Sequence, residues 1–147
     1  MEIYWLFVFF LFGITFGSFY NVVGLRVPKN IPFVNDHSHC PNCDHRLRWH
    51  ELVPVASFVW QKGTCRNCDA RISPLYPSME LVTGLLFAYS YFIFGFQLEL
   101  ITAILFISLL VIISVADIAY MLIPNKFLLF FLPLLIIMRI ISPLHPW

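Results

Sequence analysis

The sequence predicts an all-α polytopic membrane protein with about four transmembrane helices and a small cytoplasmic zinc-knuckle loop domain. Three observations predict it. Of 147 residues, 60% are hydrophobic and 12% charged, where a soluble domain carries about a quarter charged. Apolar runs recur at bilayer-spanning length, at Ile3 to Leu25, Leu81 to Phe96, Leu100 to Ala116 and Phe127 to Ile141. Between the first two runs lie two C-x-x-C pairs, Cys40-Pro-Asn-Cys43 and Cys65-Arg-Asn-Cys68. The expected organisation is a first transmembrane helix over 1–25, a four-cysteine segment over 26–78, and three further transmembrane helices over 79–147.

The first run reads as a retained helix and not as a signal peptide. Glu2 is its only flanking charge, no basic residue precedes it and no small-x-small cleavage site follows. Gly13 and Gly17, four apart, would let a neighbouring helix approach closely, or are chance glycines in a tolerant span.

Seven of the nine lysines and arginines (Arg26, Lys29, Arg46, Arg48, Lys62, Arg66, Arg71) lie between runs one and two. By the positive-inside rule that segment is cytoplasmic and the N-terminus outside. Lys126 agrees with this orientation, and Arg139, near the outer end of run four, dissents and can snorkel.

Paired C-x-x-C motifs about twenty residues apart have the spacing of a structural zinc site built from two knuckles, Cys40, Cys43, Cys65 and Cys68. Four thiolates close a tetrahedron and leave no position for a reacting water, so the expected Zn²⁺ is structural. Iron in a rubredoxin-like site, redox-active cysteines and disulfides are the alternatives. A metal makes sense because some fifty residues rarely stabilise a core alone. Six of the ten prolines fall here, which argues against long helices. Leu52 to Trp60 is apolar and aromatic, suited to the membrane surface or to packing under the metal. His37, His39, His45 and His50 are competing ligands or polar loop residues. Seven basic and five acidic residues, four thiolates and Zn²⁺ leave the segment near neutral, with no charge argument for nucleic acid as a partner.

In run three and its exit, from Leu100 to Asn125, Asp117 is the only side chain charged at neutral pH. An intramembrane carboxylate is a functional hypothesis by default. At ~1.5 Å per residue it lies about 25 Å from Leu100, near the cytoplasmic edge of the bilayer core, within reach of water. Its bland reading is an interfacial acid beside Lys126. Run four contains Pro133 and spans only about 22 Å as a helix, so it either thins the membrane locally or belongs to a longer protein.

Several motifs together resemble the type IV prepilin peptidases. They are Gly17-Ser18-Phe19-Tyr20-Asn21-Val22-Val23 with Arg26-Val27-Pro28; Cys40-Pro41-x-Cys43; Ser57-Phe58; Lys62-Gly63-x-Cys65-Arg66-x-Cys68; Ile72-Ser73; Tyr76-Pro77-x-x-Glu80-Leu81-x-Thr83-Gly84; and Asp117-Ile118 before Ile123-Pro124-Asn125. The resemblance runs the length of the chain and looks closest to the enzymes serving competence pili. It implies a bacterial plasma membrane protein, an intramembrane aspartic endopeptidase that removes the leader of prepilin or pseudopilin precursors at the cytoplasmic face. Residues 79–147 then form the N-terminal part of its peptidase domain. In many members the same protein N-methylates the product from S-adenosylmethionine, and no residue here marks a methyl-donor site.

Asp117 matches the family's first catalytic aspartate. The second belongs to a Gly-x-Gly-Asp motif that this sequence does not contain, and no Asp or Glu follows Asp117. The resemblance therefore implies either the N-terminal part of an active peptidase or a truncated, inactive scaffold that binds prepilins; a pair of chains each donating Asp117 is a third arrangement. Glu80, expected at the same depth as Asp117, either enters the active-site cavity or is a first-turn acid favoured by the helix dipole and paired with Arg71. Asn21 and Asn125 either orient Asp117 or a substrate backbone, or cap helix ends.

Overall fold

The computed structural model describes residues 2–32, 40, 42–48, 51 and 53–143. Their helices are α1 (Glu2–Arg26), α2 (Ala56–Trp60), α3 (Leu75–Phe94), α4 (Leu98–Tyr120) and α5 (Asn125–Ile141). Among the described residues there is no strand; an isolated antiparallel bridge joins Thr64 and Arg71. Three helices, α1, α3 and α4, are long and apolar enough to cross a membrane. The fourth apolar run forms α5, which at 17 residues is shorter.

Local chemistry sets the helix ends. After α1, Pro28 enters a single 3-10 turn over Val27–Lys29, and Asn30 closes it in the left-handed region at φ 54°, which asparagine tolerates better than most residues. α3 starts at Leu75, six residues before the apolar run begins at Leu81. Pro74 caps it and Pro77 sits in its first turn, where a missing N–H costs nothing. α4 ends with Met121 left-handed, its N–H donating to the Asp117 carbonyl at 2.7 Å.

Small residues bring the first two long helices together. A Cβ on Gly13 would stand 2.7 Å from the Gly84 Cα, and one on Gly17 would stand 2.9 Å from the Glu80 Cα. Trp5 meets Phe96 edge-on at 4.9 Å, so α1 and α3 run antiparallel. α4 packs on both, with Gly24 of α1 against Val115, and α5 packs on α4.

Tyr20, Phe87, Leu109, Val111, Ile112, Ala116, Phe127 and Phe131 form the core. Within it the Tyr20 hydroxyl bonds the Ser108 hydroxyl at 2.6 Å, and Ser108 also bonds the Ile104 carbonyl. The outward faces are apolar as well, with Phe7, Phe12, Leu85 and Phe92 exposed, as helices surrounded by lipid require. At the end opposite Arg26, Glu99 receives Arg139 at 3.4 Å and the Ser142 hydroxyl at 2.8 Å. Arg139, the residue that dissents from the charge pattern, thus has a carboxylate partner on α4.

Candidate metal centre and the carboxylates at the Arg26 end

Cys40, Cys43, Cys65 and Cys68 converge so that their sulfur atoms all lie within 4.8 Å of one another. Cys40 to Cys68 is 3.7 Å and Cys43 to Cys65 is 3.9 Å. A tetrahedron with Zn–S bonds of ~2.3 Å requires sulfurs about 3.8 Å apart. The donor set therefore fits one tetrahedral metal ion, and all four cysteines are free of disulfides.

The two halves repeat in sequence and in backbone. Residues 40–46 and 65–71 both read C-x-N-C-D-x-R. The Cys40 N–H donates to the His45 carbonyl at 3.0 Å and the Asp44 N–H to the Cys40 carbonyl at 2.9 Å; Cys65 to Ala70 and Asp69 to Cys65 repeat this at 2.9 and 3.0 Å. Asp44 and Asp69 hold φ of 54° and 55°, a region aspartate enters at lower cost than most residues. Backbone N–H groups of His45 and Ala70 reach the Cys43 and Cys68 sulfurs. The Ala70 donor, helped by the Asn42 side chain from the other half, draws the Cys68 thiol down to about 7. Sequence reasoning finds the cysteines and misses this repeat, although the shared Asn, Asp and Arg are visible.

Of the four competing histidines, His45 faces Glu51, with Nε2 3.7 Å from its carboxylate, and Glu51 also accepts the Arg48 N–H at 2.7 Å. His37, His39 and His50 lie outside the described residues, as does Leu52 of the apolar Leu52 to Trp60 stretch.

The acidic and amide candidates fall into two groups. On the α1–α3 seam, Asn21 is 3% exposed and its Nδ2 donates to the Tyr76 carbonyl at 3.0 Å, while among the described residues its Oδ1 has no partner. Glu80, 7% exposed, accepts the Val55 N–H at 2.6 Å and is also bonded by Ser18. It is the sixth residue of α3, and among the described residues its carboxylate is not paired with Arg71. At the α4–α5 connection, Asp117 is exposed in the last turn of α4 and Asn125 is exposed at the start of α5. Lys126 bonds the Asn30 side-chain oxygen at 2.6 Å, and among the described residues the Asp117 carboxylate has no hydrogen-bonded or ionic partner.

The two groups lie at different depths. Glu80 is level with Gly17 of α1, whereas Val115 is level with Gly24, seven residues on and about 10 Å further along the helix. Asp117 is further still toward the Arg26 end. The common depth expected for Glu80 and Asp117 does not hold for their Cα atoms: Glu80 stands six residues into α3 from its start at the Arg26 end, whereas Asp117 is in the last turn of α4 at that end.

Three membrane-length helices, with a four-cysteine cluster able to hold a metal ion between the first two of them, define a multi-pass membrane protein with a candidate metal centre. The family model of the bacterial peptidase A24 N-terminal domain matches residues 11–94, and the chain belongs to that family. It is 49% identical over 140 residues to a Bacillus subtilis (strain 168) protein named prepilin leader peptidase/N-methyltransferase, covering 95% of this chain and 56% of the relative. Proteins of the same name from Myxococcus xanthus and Klebsiella pneumoniae are 42% identical over 121 residues and 36% over 122. Those matches cover 81% and 79% of this chain but 36% and 54% of the relatives. The chain thus spans about a third to a little over half of the length of these relatives. No solved structure matches it.

Proposed function

We propose that this chain supplies the N-terminal part of an intramembrane aspartic endopeptidase that processes prepilin precursors. The observation that carries the proposal is membership of the peptidase A24 N-terminal family, joined to relatives whose names state prepilin leader cleavage. An exposed carboxylate at the end of a membrane-length helix, on the same side of the bundle as the four-cysteine segment, supports it.

In this reading the Arg26 end faces the cytoplasm. Asp117 is one member of a carboxylate pair whose titrations are pushed apart by proximity, so that one activates water while its protonated partner polarises the scissile carbonyl. The partner carboxylate comes from outside these 147 residues. Cys40, Cys43, Cys65 and Cys68 hold Zn²⁺, which when bound supplies a cross-link that fixes the loop and takes no part in hydrolysis. Asn21 and Asn125 are support residues, Asn125 across the α4–α5 connection from Asp117 and Asn21 within the α1–α3 seam. The N-methyltransferase activity in the relatives' names, with its S-adenosylmethionine, is assigned to no residue of this chain.

The test is a chimaera in which this chain replaces the matching N-terminal part of the Bacillus subtilis relative, assayed with a prepilin in membranes beside the 147-residue chain alone. Cleavage by the chimaera and none by the short chain is expected. A well-expressed chimaera without activity would sink the proposal.

A further inference from the structure

Val55 occupies an uncommon backbone state. It has φ 56° and ψ −48°, and the Ala56 N–H turns back to the Pro54 carbonyl at 2.5 Å, which makes a γ-turn of the rare positive-φ kind. For a β-branched residue this conformation is unfavourable and persists only where the surroundings impose it. The imposing group is on α3: the Val55 N–H donates to Glu80 Oε2 across 25 positions of sequence. Glu80 is itself wedged against α1, its Cα beside Gly17 and its carboxylate bonded by Ser18.

That bond fixes a height. Gly17 is nine residues before Arg26, about 13 Å along α1. Side chains lean toward their helix N-terminus, which lifts the Glu80 carboxylate by roughly a turn. The Val55 amide is still held below the level of Arg26 and Lys29, inside the end of the bundle. Helix α2 begins at the next residue and carries no charge. Its Phe58 faces the metal-binding half, against Gly63, whereas Val59 and Trp60 are 68% and 80% exposed. Val59 and Trp60 follow the pegged amide by four and five residues, within about 8 Å of it along a helix, and tryptophan is favoured at headgroup level.

We propose that Glu80 is a positioning residue that pegs the metal-binding segment into the end of the helix bundle, and that α2 is an interfacial anchor whose Val59 and Trp60 lie in the headgroup layer of the membrane crossed by α1, α3 and α4. The inference rests on the membrane fold and not on the peptidase reading, so each can fail alone.

The full chain with Trp5→Phe, Trp49→Phe and Trp147→Phe retains Trp60 as its only indole. It is reconstituted into phosphatidylcholine vesicles brominated either near the glycerol end or near the tip of the acyl chains. Shallow bromines should quench Trp60 about twofold more than deep ones. Glu80→Ala should abolish that difference while the four cysteines keep their zinc, and Glu80→Gln, which retains an oxygen acceptor at the same reach, should restore it. Trp60 quenched freely by acrylamide and untouched by either bromolipid would overturn the anchor. A Glu80→Ala chain quenched like its parent would overturn the peg. Should Glu80→Ala not fold, amide exchange at Val55 in the parent decides the same point: a slowly exchanging amide supports the peg, and a fast one overturns it.

Discussion

Gly13 of α1 and Gly84 of α3 face each other where the two helices cross, so close that a Cβ on Gly13 would stand 2.7 Å from the Gly84 Cα. A Cβ on Gly84 would in turn meet the Ile14 side chain at 2.7 Å and the Phe10 carbonyl at 3.0 Å. Lipid offers no hydrophobic drive for helix pairing, so close backbone approach is what holds this pair. Gly13→Ala and Gly84→Ala should each destabilise the bundle by about 1–3 kcal/mol, because two backbones must separate. Thermal unfolding in detergent, with exposed Thr15→Ala as the control, measures the difference; unchanged midpoints would contradict the crossing.

The buried Tyr20–Ser108 pair ties α1 to α4. Ser108 already donates to the Ile104 carbonyl, so the Tyr20 hydroxyl is the donor between them. Removing it by Tyr20→Phe should cost about 1 kcal/mol, the range of hydrogen bonds between membrane helices. A double-mutant cycle with Ser108→Ala isolates that value, and a coupling of zero would mean that the bond does not hold α1 to α4.

Metal analysis of the purified chain should find about one zinc per chain, and Cys43→Ser or Cys65→Ser should lower the occupancy and expose the segment to protease. In metal-free protein Cys68 and Cys43 should differ. Cys68 is drawn down to about 7 by the Ala70 N–H, so it is mostly thiolate above that pH and becomes thiol as pH falls through it, whereas an ordinary cysteine near ~8.5 is mostly thiol at neutrality. Brief alkylation at pH near ~7.5 should therefore modify Cys68 before Cys43, whose thiol is pushed up to about 11, with mass spectrometry reading the order. Zinc affinity should fall with acidification for the same reason, since the ligands bind as thiolates.

Much of this arrangement can be read from residue order. The apolar runs locate the membrane-length helices, the C-x-x-C spacing finds the metal set, and the four-residue interval of Gly13 and Gly17 marks a helix contact. Other features have no local signal. The start of α3 escapes hydropathy because its first six residues, Leu75 to Glu80, place Tyr76, Pro77, Ser78 and Glu80 among the apolar side chains, and only the prolines at its start betray a helix. The tie from Glu80 to Val55 joins residues 25 apart through a γ-turn whose central residue does not announce it, since valine is disfavoured there. The depth difference between Glu80 and Asp117 depends on where each helix meets α1, which periodicity does not encode.

The role proposed for Asp117, one acid of an aspartyl pair, is tested most directly by prepilin cleavage with the chimaera carrying Asp117→Asn. The side chain keeps its size and loses its charge, and Asp117 uses only its backbone carbonyl, toward Met121, to cap α4. The fold and the zinc content should therefore remain, while the cleavage rate drops at least about 100-fold. An Asp117→Asn chimaera that cleaves at the parent rate would contradict the assignment.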